Sequence, residues 1–247
     1  MRTKLLFFGF LFLFLGCAKQ NHLADVKTRT YRIEKASYPV DVKIAQLIEP
    51  YKVELEKTMN EVIGVNEEEM IKGKPNSSLT NWFTDALLTE SQKLITDTLD
   101  FAIQNYGGIR LNSFAAGEIT IGKVYELMPF DNVMFIMELK GSVVKQLFDR
   151  IAKSGGWPIS HTVSFKIAFG EATDIMIWNK PIDMEKTYHV AIPDYIALGG
   201  DNMEFMKDCT GKDTQALVRD LLIQFIRYET SQGRHIVSNP KPRITEI

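Results

Sequence analysis

Few residues of this chain are suited to binding a metal through sulfur or imidazole. Of its 247 residues, two are cysteine (Cys17 and Cys209) and four are histidine. The histidines lie far apart, and none belongs to an H-E-x-x-H, C-x-x-C or D-x-H motif. A metal site built by a local motif is therefore not expected.

The chain also lacks an excess of charge of one sign. Its 29 basic residues oppose 31 acidic residues, which gives a formal net charge of -2 without a charged block. Proteins that bind DNA or RNA concentrate basic residues on one surface, so we expect no nucleic-acid partner. A hydrophobic content of 45% is sufficient for a substantial core.

No apolar run approaches the roughly 20 residues that span a bilayer. The longest, residues 5–15, follows a basic start, as is typical of a signal peptide. It ends in Leu-Gly-Cys-Ala, which resembles a bacterial lipobox whose cysteine is lipidated in the mature protein. We therefore predict a lipoprotein signal peptide at residues 1–16 and a lipid on Cys17. The expected location is the bacterial cell envelope, in the outer membrane, facing the periplasm or the exterior, and a plain secretory signal peptide is the alternative.

The remaining chain divides into a predicted tether at residues 17–39 and a folded domain at residues 40–247. Hydrophobic periodicity predicts helices at 41–63, 79–94, 122–128, 141–153 and 213–229. It predicts strands at 100–104, 117–121, 132–139, 163–169, 174–178 and 188–193. The first helix is expected to bury an apolar stripe and to stop at Gly64. Because strands and helices do not alternate regularly, the prediction is an α+β fold with a mixed β-sheet and packed helices.

A glycine-rich turn, Asn105-Tyr106-Gly107-Gly108-Ile109-Arg110, follows the predicted strand at 100–104. Gly107 and Gly108 let a ligand approach the backbone, and the Arg110 guanidinium presents a planar fork of donors. The turn suits a phosphate, a carboxylate or a polar ring edge. Taken alone, such a turn could also serve only to reverse the direction of the chain.

Two further glycine-rich loops carry groups that could contact a nucleoside. In Gly199-Gly200-Asp201, the carboxylate could accept hydrogen bonds from the vicinal hydroxyls of a ribose, or it could cap its own turn. Trp157 follows Gly155 and Gly156, and Tyr195 follows the predicted strand at 188–193. The two rings could sandwich a nucleobase, or either could cover apolar core.

Six short motifs occur in the same order as in the C-terminal domain of bacterial and animal 5'-nucleotidases, which the chain resembles from about residue 44 to its end. They are Asn105-Tyr106-Gly107-Gly108-Ile109-Arg110, Gly117-Glu118-Ile119-Thr120, Pro129-Phe130-Asp131-Asn132, Glu138-Leu139-Lys140-Gly141, Gly155-Gly156-Trp157 and Gly199-Gly200-Asp201.

The resemblance implies a domain that binds the base and ribose of a nucleotide, for nucleotide catabolism. It places Trp157 and Tyr195 where the family has two base-stacking phenylalanines, and Asp201 on the ribose hydroxyls. The implied substrate-binding residues are Asn105, Gly107, Gly108, Arg110, Trp157, Tyr195, Gly199, Gly200 and Asp201. The chain departs from the family pattern at Tyr106 and Asn202, which replace glycines, and at residues 72–75, where the family's upstream arginine has no match.

Enzymes that this chain resembles hydrolyse the phosphate ester in a separate N-terminal domain, with two metal ions held by motifs such as D-x-H and G-N-H-D. These 247 residues contain none of those motifs. We therefore expect no catalytic residue, metal or cofactor in this chain, and two divalent metals in a separately encoded metallophosphatase partner. The alternative is an envelope binding lipoprotein that keeps the fold but recognises another ligand, and a self-sufficient hydrolase is disfavoured by the missing metal ligands.

Overall fold

The computed structural model describes residues 26–32 and 40–247. The predicted signal peptide and Cys17 lie outside the described residues, and residues 26–32 of the predicted tether contain no helix or strand. The chain divides into two units, Met1–Ile48 and Glu49–Ile247, and the boundary falls inside the first helix. Within the described ranges, no helix is both long enough and apolar enough to cross a bilayer.

Helices and strands are mixed along the chain, as predicted. The helices are α1 (Val42–Met59), α2 (Ser78–Gln92), α3 (Ile121–Leu127), α4 (Gly141–Lys153), α5 (Asp194–Ala197) and α6 (Val218–Ser231). The strands are β1 (Val62–Asn66), β2 (Met70–Ile71), β3 (Phe101–Ala102), β4 (Ser113–Phe114), β5 (Gly117–Thr120), β6 (Val133–Lys140), β7 (Val163–Ala168), β8 (Glu171–Ile177), β9 (Lys180–Pro181), β10 (Thr187–Pro193), β11 (Thr210–Leu217) and β12 (Ile244–Glu246).

Two four-stranded mixed sheets form the framework, which confirms the predicted α+β class. The first has the order β11-β6-β10-β3, in which β6 runs antiparallel to both neighbours and β10 runs parallel to β3. The second has the order β12-β7-β8-β9, with only the β12–β7 pair parallel. Two small antiparallel pairs, β1–β5 and β2–β4, complete the strands of the described chain.

Strand β6 is buried on both faces, which explains why its sequence is almost continuously apolar. Met134 and Ile136 point into a core that includes apolar side chains of α2 and α6. Met137 and Leu139 point the opposite way, into a second core that includes α4 and the β7–β8 hairpin. Successive side chains of a strand alternate between faces, so one strand serves both cores.

Several predicted elements are confirmed, most closely α4, whose bounds coincide with the predicted 141–153. Helix α2 begins one residue before its predicted start, because the Ser77 hydroxyl accepts a hydrogen bond from the backbone N–H of Thr80 and caps the helix. The predicted strands in β6, β7, β8 and β10 are present with shifted ends.

The prediction of a buried stripe on the first helix is wrong. The helix forms and continues through Pro50, but none of its residues is buried, and Leu47 and Tyr51 are more than 70% exposed. Apolar periodicity predicts a helix, yet it does not show whether another surface covers the apolar face.

The expected helix end at Gly64 is also wrong, because this glycine lies within β1. A Cβ at this position would lie 2.6 Å from the Ile226 side chain and 2.7 Å from the Thr230 hydroxyl, both on α6. The glycine therefore permits close packing of a strand on a helix.

The start of the last helix differs too, since residues 210–217 form β11 and the helix begins only at Val218. This segment pairs with β6 and therefore forms a strand, although its apolar pattern is that of a helix.

Asn81 and Asp85 of α2 have structural roles. The Asn81 amide donates to the backbone oxygens of Asn239 and Lys241 at 2.8 and 3.2 Å. The Asp85 carboxylate pairs with the guanidinium of Arg243, which is only 4% exposed. Together they hold the C-terminal segment, including β12, against α2.

Candidate functional site

Strand direction brings the predicted site loops to one edge of the first sheet. Because β3 and β10 run parallel, their carboxyl ends lie at the same edge. Strand β6 is antiparallel to β10, so its first residues lie at that edge as well. A bridge between Ile103 and Ile159 brings the loop that follows α4 alongside β3. Four loops that are far apart in sequence therefore meet.

These loops surround a cavity of about 710 Å³, which lies within the range of about 300 to 1,000 Å³ typical of small-molecule sites. Seven of the nine predicted substrate-binding residues line it, and the other two, Gly199 and Gly200, directly precede the lining residue Asp201 in the chain. The lining residues are Asn105, Tyr106, Gly107, Gly108, Arg110, Phe130, Asp131, Asn132, Ser154, Trp157, Tyr195, Asp201 and Asn202.

The Asp201 carboxylate is hydrogen-bonded at both oxygens. Asn105 Nδ2 donates to Oδ2 at 2.9 Å, and the Tyr195 hydroxyl donates to Oδ1 at 3.1 Å. Asp201 and Asn202 have φ of 53° and 63°, in the left-handed region that favours glycine. Asn and Asp tolerate this conformation better than most residues, which explains how Asn202 can replace the usual glycine.

Close packing requires a glycine at positions 200 and 108, but not at position 107. A Cβ on Gly200 would lie 2.6 Å from Cε1 and Cζ of the Tyr195 ring, so the ring rests directly on the glycine. A Cβ on Gly108 would overlap the side-chain amide of Gln104 and would lie 2.7 Å from Asn105 Oδ1. A Cβ on Gly107 would meet only Asn105 Nδ2, at an ordinary 3.7 Å.

Two cations contact the ring of Tyr106, the residue that replaces the first family glycine. The ammonium groups of Lys72 and Lys74 lie 4.1 and 4.9 Å from the centre of its ring. Lys72 also donates to the backbone oxygen of Ile109 at 2.6 Å. Burial, together with the charges of Arg110 and Lys74, lowers the pKa of the Lys72 ammonium. The charge contribution to this shift indicates that Lys72, Lys74 and Arg110 lie close enough together to form a cluster of positive charge beside the cavity.

Arg110 keeps most of its donors available at the cavity. Among the described residues, the only hydrogen bond of its guanidinium is a long one of 3.4 Å to Gly107 O. The guanidinium carbon lies 5.6 Å from the centre of the Phe130 ring, a cation–π distance.

The aromatic residues differ in how much ring they offer to a ligand. Tyr195 is 47% exposed, whereas Trp157 is 6% exposed and belongs to the second core. Trp157 therefore offers little of its ring to a ligand. Phe130 is 41% exposed and lines the same cavity, although sequence reasoning assigned it no role. The signal in the sequence was its place in the Pro129-Phe130-Asp131-Asn132 motif.

The loop before β6 is fastened to the loop after β10. Asn132 Nδ2 and the backbone N–H of Tyr195 both donate to Asp194 Oδ1 at 2.6 Å. Asp131 accepts from Arg219 at 2.7 Å. Within the described ranges, no group of three or more His, Cys, Asp or Glu side chains is placed to hold a metal ion.

Replacing Gly108 by alanine is expected to lower the free energy of unfolding by about 1 to 3 kcal/mol, because the new methyl group overlaps Gln104. Gly107→Ala is the matched control and should change it by less than about 0.5 kcal/mol. Urea unfolding at 25 °C measures both. Equal destabilisation by the two substitutions would contradict the packing explanation.

Comparison with known proteins supplies the family. Residues 62–208 match the family described as 5'-nucleotidase, C-terminal domain. Protein UshA of Salmonella pullorum is 33% identical over 133 residues, which cover 52% of this chain and 24% of UshA. The NAD 5'-nucleotidase of Haemophilus influenzae is 26% identical over 188 residues, which cover 65% of this chain and 31% of that protein. The chain thus spans about a quarter to a third of the length of these relatives.

Structural comparison agrees with the sequence match. The crystal structure of a 5'-nucleotidase precursor from Thermus thermophilus has a TM-score of 0.69 and 23% identity, over 86% of this chain and 44% of that one. At this identity the likeness establishes the fold. Because the family match covers more than half of the chain, the protein belongs to the 5'-nucleotidase C-terminal domain family, the part of these enzymes that binds substrate.

Proposed function

We propose that this chain binds a nucleoside monophosphate such as AMP, and that a separately encoded two-metal phosphatase hydrolyses the bound ester. The observation that carries the proposal is the separation of charge within the cavity. Arg110 lines the cavity as a cation, and Lys72 and Lys74 add positive charge next to it, over the ring of the lining residue Tyr106. Asp201 provides a carboxylate at another loop.

A nucleoside monophosphate matches this arrangement group by group. Its phosphate suits the guanidinium of Arg110, which can form two parallel hydrogen bonds to one anion. The ribose hydroxyls can donate to the acceptor sites that remain on the Asp201 carboxylate. The exposed rings of Tyr195 and Phe130 can stack on a base, and the mostly buried Trp157 also lines the cavity.

The partner is proposed from what hydrolysis requires. Two-metal hydrolysis needs a set of ligands that hold both ions, and these 247 residues contain none of the D-x-H or G-N-H-D motifs that supply them in the family. The pair of divalent metals would therefore belong to the phosphatase, while this chain orients the nucleotide.

Arg110→Ala is expected to weaken AMP binding by about tenfold to a hundredfold, because it removes charge-assisted hydrogen bonds to the phosphate. Adenosine, which lacks the phosphate, should lose less than about twofold in affinity. Isothermal titration calorimetry with both ligands measures the difference.

Arg150→Ala provides the control, since this arginine lies on α4 beside a different cavity and should leave both affinities unchanged. Failure of the wild-type chain to bind AMP or adenosine would contradict the proposal and favour a binding protein for another ligand.

The partnership predicts a gain in catalysis on mixing. A purified metallophosphatase from the same genome, carrying the D-x-H and G-N-H-D motifs, should release phosphate from AMP faster in the presence of this chain and Mn²⁺. Glycerol 3-phosphate serves as the control substrate and should show no gain, because it lacks a nucleoside. No increase with AMP over the phosphatase alone would contradict the partnership, even if this chain binds AMP.

A further inference from the structure

The hydroxyl of Tyr195 has no counterpart in the stacking phenylalanine that the family resemblance implies at this position. It lies 3.1 Å from Asp201 Oδ1, to which it donates a hydrogen bond. The other carboxylate oxygen accepts from Asn105 at 2.9 Å. Neutral donors from two different loops therefore hold the one carboxylate expected to contact a sugar.

Both donors are themselves fixed in place. The side-chain amide of Gln104 donates to Asn105 Oδ1 at 2.8 Å, which turns Asn105 Nδ2 towards Asp201. Gln104 and Asn105 are 1% and 9% exposed, so neither side chain is free to reorient. On the other side, the Tyr195 ring rests against Gly200, where even a Cβ would lie within 2.6 Å of the ring.

This arrangement fixes the orientation of the Asp201 carboxylate but uses only part of its capacity to accept hydrogen bonds. An ionised carboxylate offers about four acceptor positions, two on each oxygen. Asn105 and Tyr195 occupy one on each oxygen, and a vicinal diol could donate to one more on each. A group that is already held in its binding conformation loses less conformational entropy when a ligand arrives.

We propose that Tyr195 is a positioning residue, whose hydroxyl orients Asp201 to select a ligand with vicinal hydroxyls over the same ligand without them. The ring contributes to stacking, and the hydroxyl contributes to sugar selection. This inference rests on the proposed nucleoside binding and adds to it the group that sets specificity for ribose.

The test compares adenosine with 2',3'-dideoxyadenosine by calorimetry, in the wild-type chain and in Tyr195→Phe, which keeps the ring and removes the hydroxyl. The wild-type chain should prefer adenosine by about tenfold or more. Tyr195→Phe should reduce this preference by about three- to tenfold, because a hydrogen bond to the charged group is lost. Its affinity for dideoxyadenosine should stay within about twofold.

Tyr228→Phe is the matched control, because Tyr228 is similarly exposed but lies on α6, outside the cavity lining. It should leave the preference unchanged. A preference that survives in Tyr195→Phe, or an equal loss for both ligands, would overturn the positioning role while nucleoside binding stands. Absence of binding by the wild-type chain would instead overturn the proposed function.

A readout without ligand separates the two proposals further. Side-chain scalar couplings of Asp201, measured by NMR, should report a single χ1 rotamer in the wild-type chain and averaging in Tyr195→Phe. A single rotamer in both would overturn the positioning role, whatever ligand the cavity binds.

Discussion

The pairing of β10 with β3 on one side and β6 on the other is the constraint on which the site depends. Strand β6 contributes side chains to both cores. A slip of one residue in its pairing would therefore turn each β6 side chain towards the opposite core. That cost fixes the register of the sheet. This register sets the positions of the loops that follow β3 and β10 and of the loop that precedes β6. The side chains that line the cavity are therefore held by a rigid sheet.

The departures from the family pattern are accommodated by local chemistry. Tyr106, in place of a glycine, packs partly against the second core and carries Lys72 and Lys74 over its ring. Lys72 and Lys74 come from the segment where the family's upstream arginine has no match. These two lysines supply the positive charge that lies over the Tyr106 ring. Asn202 tolerates the left-handed backbone that a glycine would otherwise supply.

Local patterns predicted the parts of the fold that local forces decide. The apolar periodicity of α2 and α4 identifies these helices, and the apolar run of β6 identifies a strand. The predictions that were wrong concern features that depend on packing partners far away in the sequence. Gly64 looks like a helix stop until α6 is packed against it, and residues 213–217 look helical until β6 pairs with them.

The same distinction between local patterns and distant contacts applies to the candidate site. The ordered motifs predicted which loops would carry the substrate-binding residues, and seven of the nine residues named in advance line one cavity. Sequence could not show that Asn105 and Tyr195 both donate to Asp201, because Asn105 lies 96 positions from Asp201 and only the sheet brings the two together. Nor could it show that Trp157 is mostly buried while Phe130 is open to the cavity, since burial is set by how the loops pack.

The central claim is that this chain recognises a nucleotide without cleaving it. Phosphorus-31 NMR of AMP, titrated with the purified protein in the presence of EDTA and then followed after Mg²⁺ is added in excess of the chelator, tests it most directly. The AMP resonance should shift or broaden as the protein is added, and no inorganic phosphate should form before or after the metal is supplied. An unperturbed AMP resonance would contradict recognition, and growth of an inorganic phosphate signal from this chain alone would contradict the assignment of hydrolysis to a partner.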